Sequence, residues 1–117
     1  MIAYEASQGP SMLEDIRQRT ISPEAAQALA RIFKAMADPT RVRMLHALSQ
    51  GELPVCDLAQ LIGLSESAVS HQLSLLYALR IVRRRKHGRH VFYALDDEHI
   101  RRLIEQGMAH QAHQEAS

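Results

Sequence analysis

The sequence predicts a mainly α domain closed by one β-hairpin (an α+β chain), and three observations carry that fold class. Two short segments of helical period, "LPVCDLAQLIG" and "ESAVSHQLSLLYALR", are separated only by Gly63-Leu64-Ser65, the spacing of two helices joined by a tight turn. The period then changes: Ile81-Val82 and Val91-Phe92-Tyr93 are β-branched and aromatic runs on either side of His87-Gly88, a hairpin with glycine at its turn. Asp96 to Glu115, "DDEHIRRLIEQGMAHQAHQE", returns to the helical period with Ile100, Leu103, Ile104, Gly107 and Met108 along one stripe.

A length of 117 residues suits one small domain, and 46% hydrophobic with 23% charged residues describes a globular chain. No apolar run approaches the roughly 18 residues of a membrane span, and "MIAYEASQGPSM" lacks the basic start and apolar block of a signal peptide. The single cysteine, Cys56, excludes an internal disulfide framework and suits the reducing cytoplasm, where the protein is expected.

In chain order, residues 1–20 are expected to be a flexible N-terminal arm, with Gly9-Pro10 as a break and a short helix in "SMLEDIRQR". Ser22-Pro23 starts a helix, a capping hydroxyl followed by proline at the first helical position. Its inward face is Ala26, Leu29, Ala30, Phe33 and Met36 or Ala37. Asp38-Pro39 repeats the signal for "PTRVRMLHALS", with Val42, Leu45, Ala47 and Leu48 inward and Gly51 as the stop. The helix from Leu53 ends at Gly63. Ser65 caps the next, which buries Val69, Leu73, Leu76 and Leu79. A hairpin directly after a helix-turn-helix makes a winged helix-turn-helix, so residues 21–117 form one winged-helix DNA-binding and dimerisation domain.

Net charge is only +1, but "RIVRRRKHGRH" places Arg80, Arg83, Arg84, Arg85, Lys86 and Arg89 together without an acid. A recognition helix meets base edges with its N-terminal residues. Those here are Ser65, Glu66, Ser67, Ser70, His71 and Gln72, short or amide-bearing hydrogen-bonders. Glu66 opposes phosphate and can either accept from cytosine or cap the helix. The wing arginines alternate faces, so the tip residues Lys86 and Arg89 are the expected phosphate or minor-groove contacts; His87 and His90 are read as ordinary wing residues.

The last helix carries Asp97 and His99 at its start and His110 and His113 near its end. His99 and His110 differ by only ~20° around the axis, and His113 lies ~60° from His110, so the three histidines form one ridge beside the apolar stripe. Eleven residues rise ~16 Å, whereas a zinc ligand nitrogen sits at ~2.0–2.1 Å. One helix cannot close the site. A second copy, packed antiparallel on the stripe, brings Asp97 and His99 of one chain beside His110 and His113 of the other. The homodimer then has two equivalent intersubunit sites, across an isologous interface. One carboxylate and three imidazoles suit Zn(II) or Co(II). With four protein ligands, no open position, no His-Glu-x-x-His and no nucleophile–base pair, an enzyme is not expected.

"MADPTRVRMLHAL", "ELPVCDLAQLIGLSESAVSHQLSLL", "GRHVFYAL" and "DDEH" resemble the ArsR/SmtB family of metal-sensing repressors over residues 22–113. The resemblance implies a dimeric winged helix that represses metal efflux or sequestration genes and leaves a palindromic operator when metal binds. Asp97, His99, His110 and His113 are similar to the terminal-helix site of its zinc- and cobalt-responsive branch. The family's other site uses a Cys-x-Cys. Here Pro54 replaces the first thiol and Cys56 stands alone, which implies a dismantled thiolate site and a small buried cysteine. By the same resemblance, His110 would link to the backbone near Arg80, joining sensor to reader. Two rivals stand beside this reading: a winged-helix repressor sensing a thiol or redox signal at Cys56, and a structural zinc-binding dimer.

Overall fold

The computed structural model describes residues 9–116. Helices α1 (Gly9–Arg19), α2 (Pro23–Met36) and α3 (Pro39–Ser49) come first, followed by a two-residue strand β1 (Leu53–Pro54) and helices α4 (Val55–Ile62) and α5 (Glu66–Ala78). Strands β2 (Val82–His87) and β3 (His90–Leu95) form the hairpin, and α6 (Glu98–Ala116) ends the described chain. The chain divides after Ala30 into two units.

In the first unit, α1 begins at Gly9, so Gly9-Pro10 opens the helix rather than breaking the chain before it. Proline is tolerated there because the first N–H groups of a helix have no intrahelical acceptor. Residues 1–8 of the expected arm lie outside the described residues. Ser22 caps α2 as its sequence suggests, its hydroxyl oxygen accepting from the Ala25 N–H at 3.1 Å.

The second unit is organised around fully buried Met44, Leu45, Leu48, Leu58, Val69, Leu73, Leu76, Ile81 and Val82. Asp38 caps α3 through the Arg41 N–H at 3.1 Å. The buried arc of α3 is rotated from the expected one: Met44 is inside and Val42 is 42% exposed, the two lying ~160° apart around the axis. In α2, Ala35 and Met36 enter the core, while Leu29 and Phe33, expected inward, are exposed.

Leu53 does not start a helix. Leu53 and Pro54 pair with Tyr93 and Phe92 as an edge strand, giving an antiparallel sheet of order β1-β3-β2. Proline disfavours helical backbone at the preceding residue, which holds Leu53 extended and delays α4 to Val55. Gly63 ends α4 in left-handed backbone at φ 84°, its N–H and that of Leu64 both donating to the Ala59 carbonyl. Ser65 then caps α5, accepting from Ala68 N–H at 3.1 Å. In the hairpin His87 pairs with His90, leaving a two-residue turn. Gly88 has φ +63° and Arg89 stays on the negative side, the backbone pattern of a II′ turn with glycine first. A last contribution to the core comes from α6, through Ile104 and the partly buried Ile100.

Candidate DNA interface and metal half-sites

The capped start of α5 brings Glu66, Ser67, Ser70 and His71 to the open surface. Two other expected base readers are engaged within the chain. The Ser65 hydroxyl is taken by its cap. Gln72 is half-buried and turned inward, its carboxamide oxygen accepting from Arg41 Nε at 2.6 Å while Arg41 also donates to the Ala35 carbonyl at 3.2 Å. Gln72 is next to Leu73 on the helix, so it sits at the edge of the buried face and ties α5 to α3 and to the end of α2. Glu66 makes no hydrogen bond to the helix start, so capping falls to Ser65 alone.

The five cations of the wing are not equivalent. Arg85 holds the Glu52 carboxylate with both Nε and Nη2, at 3.0 and 2.7 Å, and lies 4.9 Å over the Phe92 ring. This fork lowers the Glu52 pKa from its ordinary 4.5, with Arg85 the leading cause. Arg83 donates to the Asp96 carbonyl at 3.4 Å. Arg84 stacks on Tyr77 at 4.1 Å. Lys86 and Arg89, next to and within the turn, make no hydrogen bond or ion pair among the described residues.

Cys56 is half-buried rather than fully enclosed, its sulfur 4.0 Å from His90 Nδ1 and 3.8 Å from Asp57 Oδ1. A cavity of 350 Å³ beside it is bordered by Glu66, Ser67, Ser70 and Arg89. Cys56 and His90 stand 34 residues apart, and no local pattern announces their meeting.

Arg80 occupies an unusual place. The Arg80 N–H donates to the Tyr77 carbonyl at 2.9 Å and the Ile81 N–H to the Leu76 carbonyl at 3.0 Å, the paired bonds of a Schellman motif at the end of α5. Arg80 therefore has φ +57°, a conformation that favours glycine. Ile81 and Leu76 are both fully buried, and their enclosure holds this strained turn.

At the start of α6, Asp97 serves two purposes. One carboxylate oxygen accepts from the Ile100 N–H at 3.1 Å and caps the helix; the other lies 3.4 Å from His99 Nδ1. The Ile100 N–H first, and His99 after it, hold the Asp97 pKa below its ordinary value. The carboxylate is thus ionised at neutral pH; it and the exposed imidazoles of His99, His110 and His113 are oxygen and nitrogen donors of the kind a borderline divalent cation takes. His110 and His113 lie near the other end of the same helix, with His110 Nε2 3.2 Å from Gln114 Nε2. Among the described residues no three His, Cys, Asp or Glu side chains gather to hold a metal. No hydrogen bond joins His110 to Arg80 either; the bond His110 makes is with Gln114.

A helix-turn-helix followed by a basic hairpin defines a winged-helix DNA-binding regulator. The chain belongs to the ArsR family: the pattern of "Bacterial regulatory protein, arsR family" matches residues 38–84. It is 46% identical over 101 residues to the transcriptional repressor SmtB homolog of Synechocystis, spanning 84% of this chain and 76% of that protein. Among solved structures it is similar to the AntR antimony-specific transcriptional repressor, with a TM-score of 0.75, 36% identity, and 83% and 88% of the two chains covered. The homodimeric winged helix-turn-helix domain of a possible ArsR-family regulator from Mycobacterium bovis is also similar, with a TM-score of 0.71, 27% identity, and 80% and 88% covered. The protein is a transcriptional regulator of the ArsR/SmtB type and not an enzyme. No helix among the described residues is long and apolar enough to cross a membrane.

Proposed function

We propose that the chain is a metal-responsive repressor whose homodimer binds palindromic operator DNA without metal and leaves it when Zn(II) or Co(II) binds at two equivalent intersubunit sites. One observation carries the reading: Asp97 and His99 sit at one end of a 19-residue helix, and His110 and His113 lie near the other. The ~16 Å between the pairs is too far for one ion. A second α6, antiparallel, supplies the missing half. Leu103 and Met108, 41% and 44% exposed, provide the apolar stripe on which it would pack. The homodimer reported for the Mycobacterium bovis domain supports such an assembly.

The choice of metal follows the donors. Oxygen and nitrogen ligands suit zinc, cobalt or another borderline divalent ion such as nickel, and a chain with one cysteine has no thiolate cluster for a softer ion. The bound cation would supply the charge that ties a carboxylate and imidazole of one chain to two imidazoles of the other. The chain's own residues do the rest. Glu66, Ser67, Ser70 and His71 face base edges, and Lys86 and Arg89 hold phosphate at the wing tip. The turn at Arg80, directly after the reading helix, is where a hydrogen bond from His110 would couple sensor to reader. Coupling of this kind is reciprocal, so operator DNA weakens metal binding by the factor that metal weakens DNA binding, typically about 5–150-fold.

Zinc titration of the protein on operator DNA tests the assignment. His110→Ala keeps operator affinity but loses the release on adding zinc. Release identical to wild type would remove His110 from the site. The contact between Cys56 and His90 favours one second reading, a thiol signal delivered beside Glu66 and Ser67. Cys56→Ser separates the two, because the metal reading expects an unchanged zinc response.

A further inference from the structure

An open groove runs between the reading helix and the wing. Its middle is a cavity of 440 Å³ with Ser70, Ser74 and Tyr77 on the helix wall and Arg84, Lys86 and Tyr93 on the hairpin wall. Toward the turn it meets the 350 Å³ cavity bordered by Ser67 and Arg89, the two sharing Val55, Ser70 and Val91. The two walls follow from two periods. Ser67, Ser70, Ser74 and Tyr77 recur at helical spacing along one face of α5. Arg84 and Lys86 are two residues apart and share a face of β2, opposite Tyr93 and Val91 in register.

Within this groove Arg84 is held from two sides. Its guanidinium lies 4.1 Å over the Tyr77 ring. Tyr93, its paired neighbour on β3, is 2% exposed, and its hydroxyl is the leading cause that raises the Arg84 pKa further. No carboxylate forms an ion pair with Arg84 among the described residues; the wing's ion pair belongs to Arg85 and Glu52. An arginine oriented by two tyrosines, without an acidic partner, is preorganised for an anion from outside the chain.

We infer that Arg84 anchors one strand of the DNA phosphate backbone in the groove between helix and wing, with Tyr77 and Tyr93 as its positioning residues. The inference rests on the DNA-binding reading above and goes beyond its contacts at the wing tip. A helix in the major groove and a hairpin reaching the adjacent minor groove must straddle one phosphodiester strand. The space between them here is this groove. Charge agrees with that occupant: Arg84, Lys86 and Arg89 line it against a single acid, Glu66, near the turn end. The guanidinium can present paired N–H donors to a phosphate while its face rests on the Tyr77 ring.

Binding of the full-length chain to a short duplex of mixed sequence, measured across a range of salt, tests the anchor, because phosphate contacts do not read sequence. For Arg84→Gln the slope of log affinity against log salt falls by about 0.9 per bound chain. At fixed moderate salt its affinity falls roughly tenfold, while its melting temperature shows that it is folded. Arg84→Lys retains the slope, since the charge remains, but loses part of the affinity because an ammonium has no plane to stack. Tyr77→Leu likewise weakens binding at an unchanged slope. Wild-type slope and affinity in Arg84→Gln would overturn the inference, as would slope losses confined to Lys86→Gln and Arg89→Gln. A wild-type protein without salt-dependent binding would instead sink the DNA-binding reading itself, and the anchor with it.

Discussion

In α5, Val69, Leu73 and Leu76 are fully buried, whereas in α6 only Ile104 falls below a tenth exposed. The reading helix is finished within its own chain: Ser65 caps its start, a Schellman turn closes its end, and Arg41 fixes Gln72. At the terminal helix Asp97 caps the start, but Leu103, Met108, His99, His110 and His113 all face outward. A helix whose partners lie in the same chain shows its closure in one protomer. A helix that completes its packing only in the proposed dimer shows in one protomer an open stripe and separated donors.

The largest expected effect breaks or upholds this contrast directly. Leu73→Ala empties a fully enclosed site and costs about 2–5 kcal/mol in denaturant unfolding. Leu103→Ala, at a surface position, changes protomer stability by no more than about 0.5 kcal/mol, yet weakens self-association in sedimentation equilibrium. Equal unfolding costs for the two would mean that α6 belongs to the core as fully as α5 does.

A smaller effect sharpens the account of the reading helix. Ser65→Ala removes the acceptor for the Ala68 N–H and costs about 1 kcal/mol, whereas Ser65→Gly costs only a few tenths. If unfolding midpoints show no loss in Ser65→Ala, the hydroxyl is not holding the helix start and is available for DNA.

The smallest effect concerns the brace between Glu52 and the wing. Arg85 depresses the Glu52 pKa below 4.5 in the folded state. A depressed carboxylate contributes stability above its unfolded pKa and loses it as pH falls through the folded value. Glu52→Gln therefore melts slightly below wild type at neutral pH, and the gap closes as pH drops below about 4.5. An exposed pair keeps this difference small, and a gap that widened in acid would contradict the assignment.

Much of this was readable from the amino acids alone. Asp38-Pro39, Ser65 and Gly88 act through their own backbone and their nearest neighbours, so caps, turn and hairpin register appear as local patterns. The spacing of Asp97, His99, His110 and His113 needs only the rise of a helix to show that the pairs are far apart. Packing alone decided that Met44 and not Val42 enters the core, that Leu53-Pro54 joins the sheet, and that Gln72 turns toward Arg41. Folding also set Cys56 beside His90 and Arg84 on Tyr77. The reason is physical: helical and strand periods state which side of an element is apolar, but not which neighbour covers it. Contacts between residues distant along the chain form only when those elements pack, and their side chains then take the partners that packing leaves within reach.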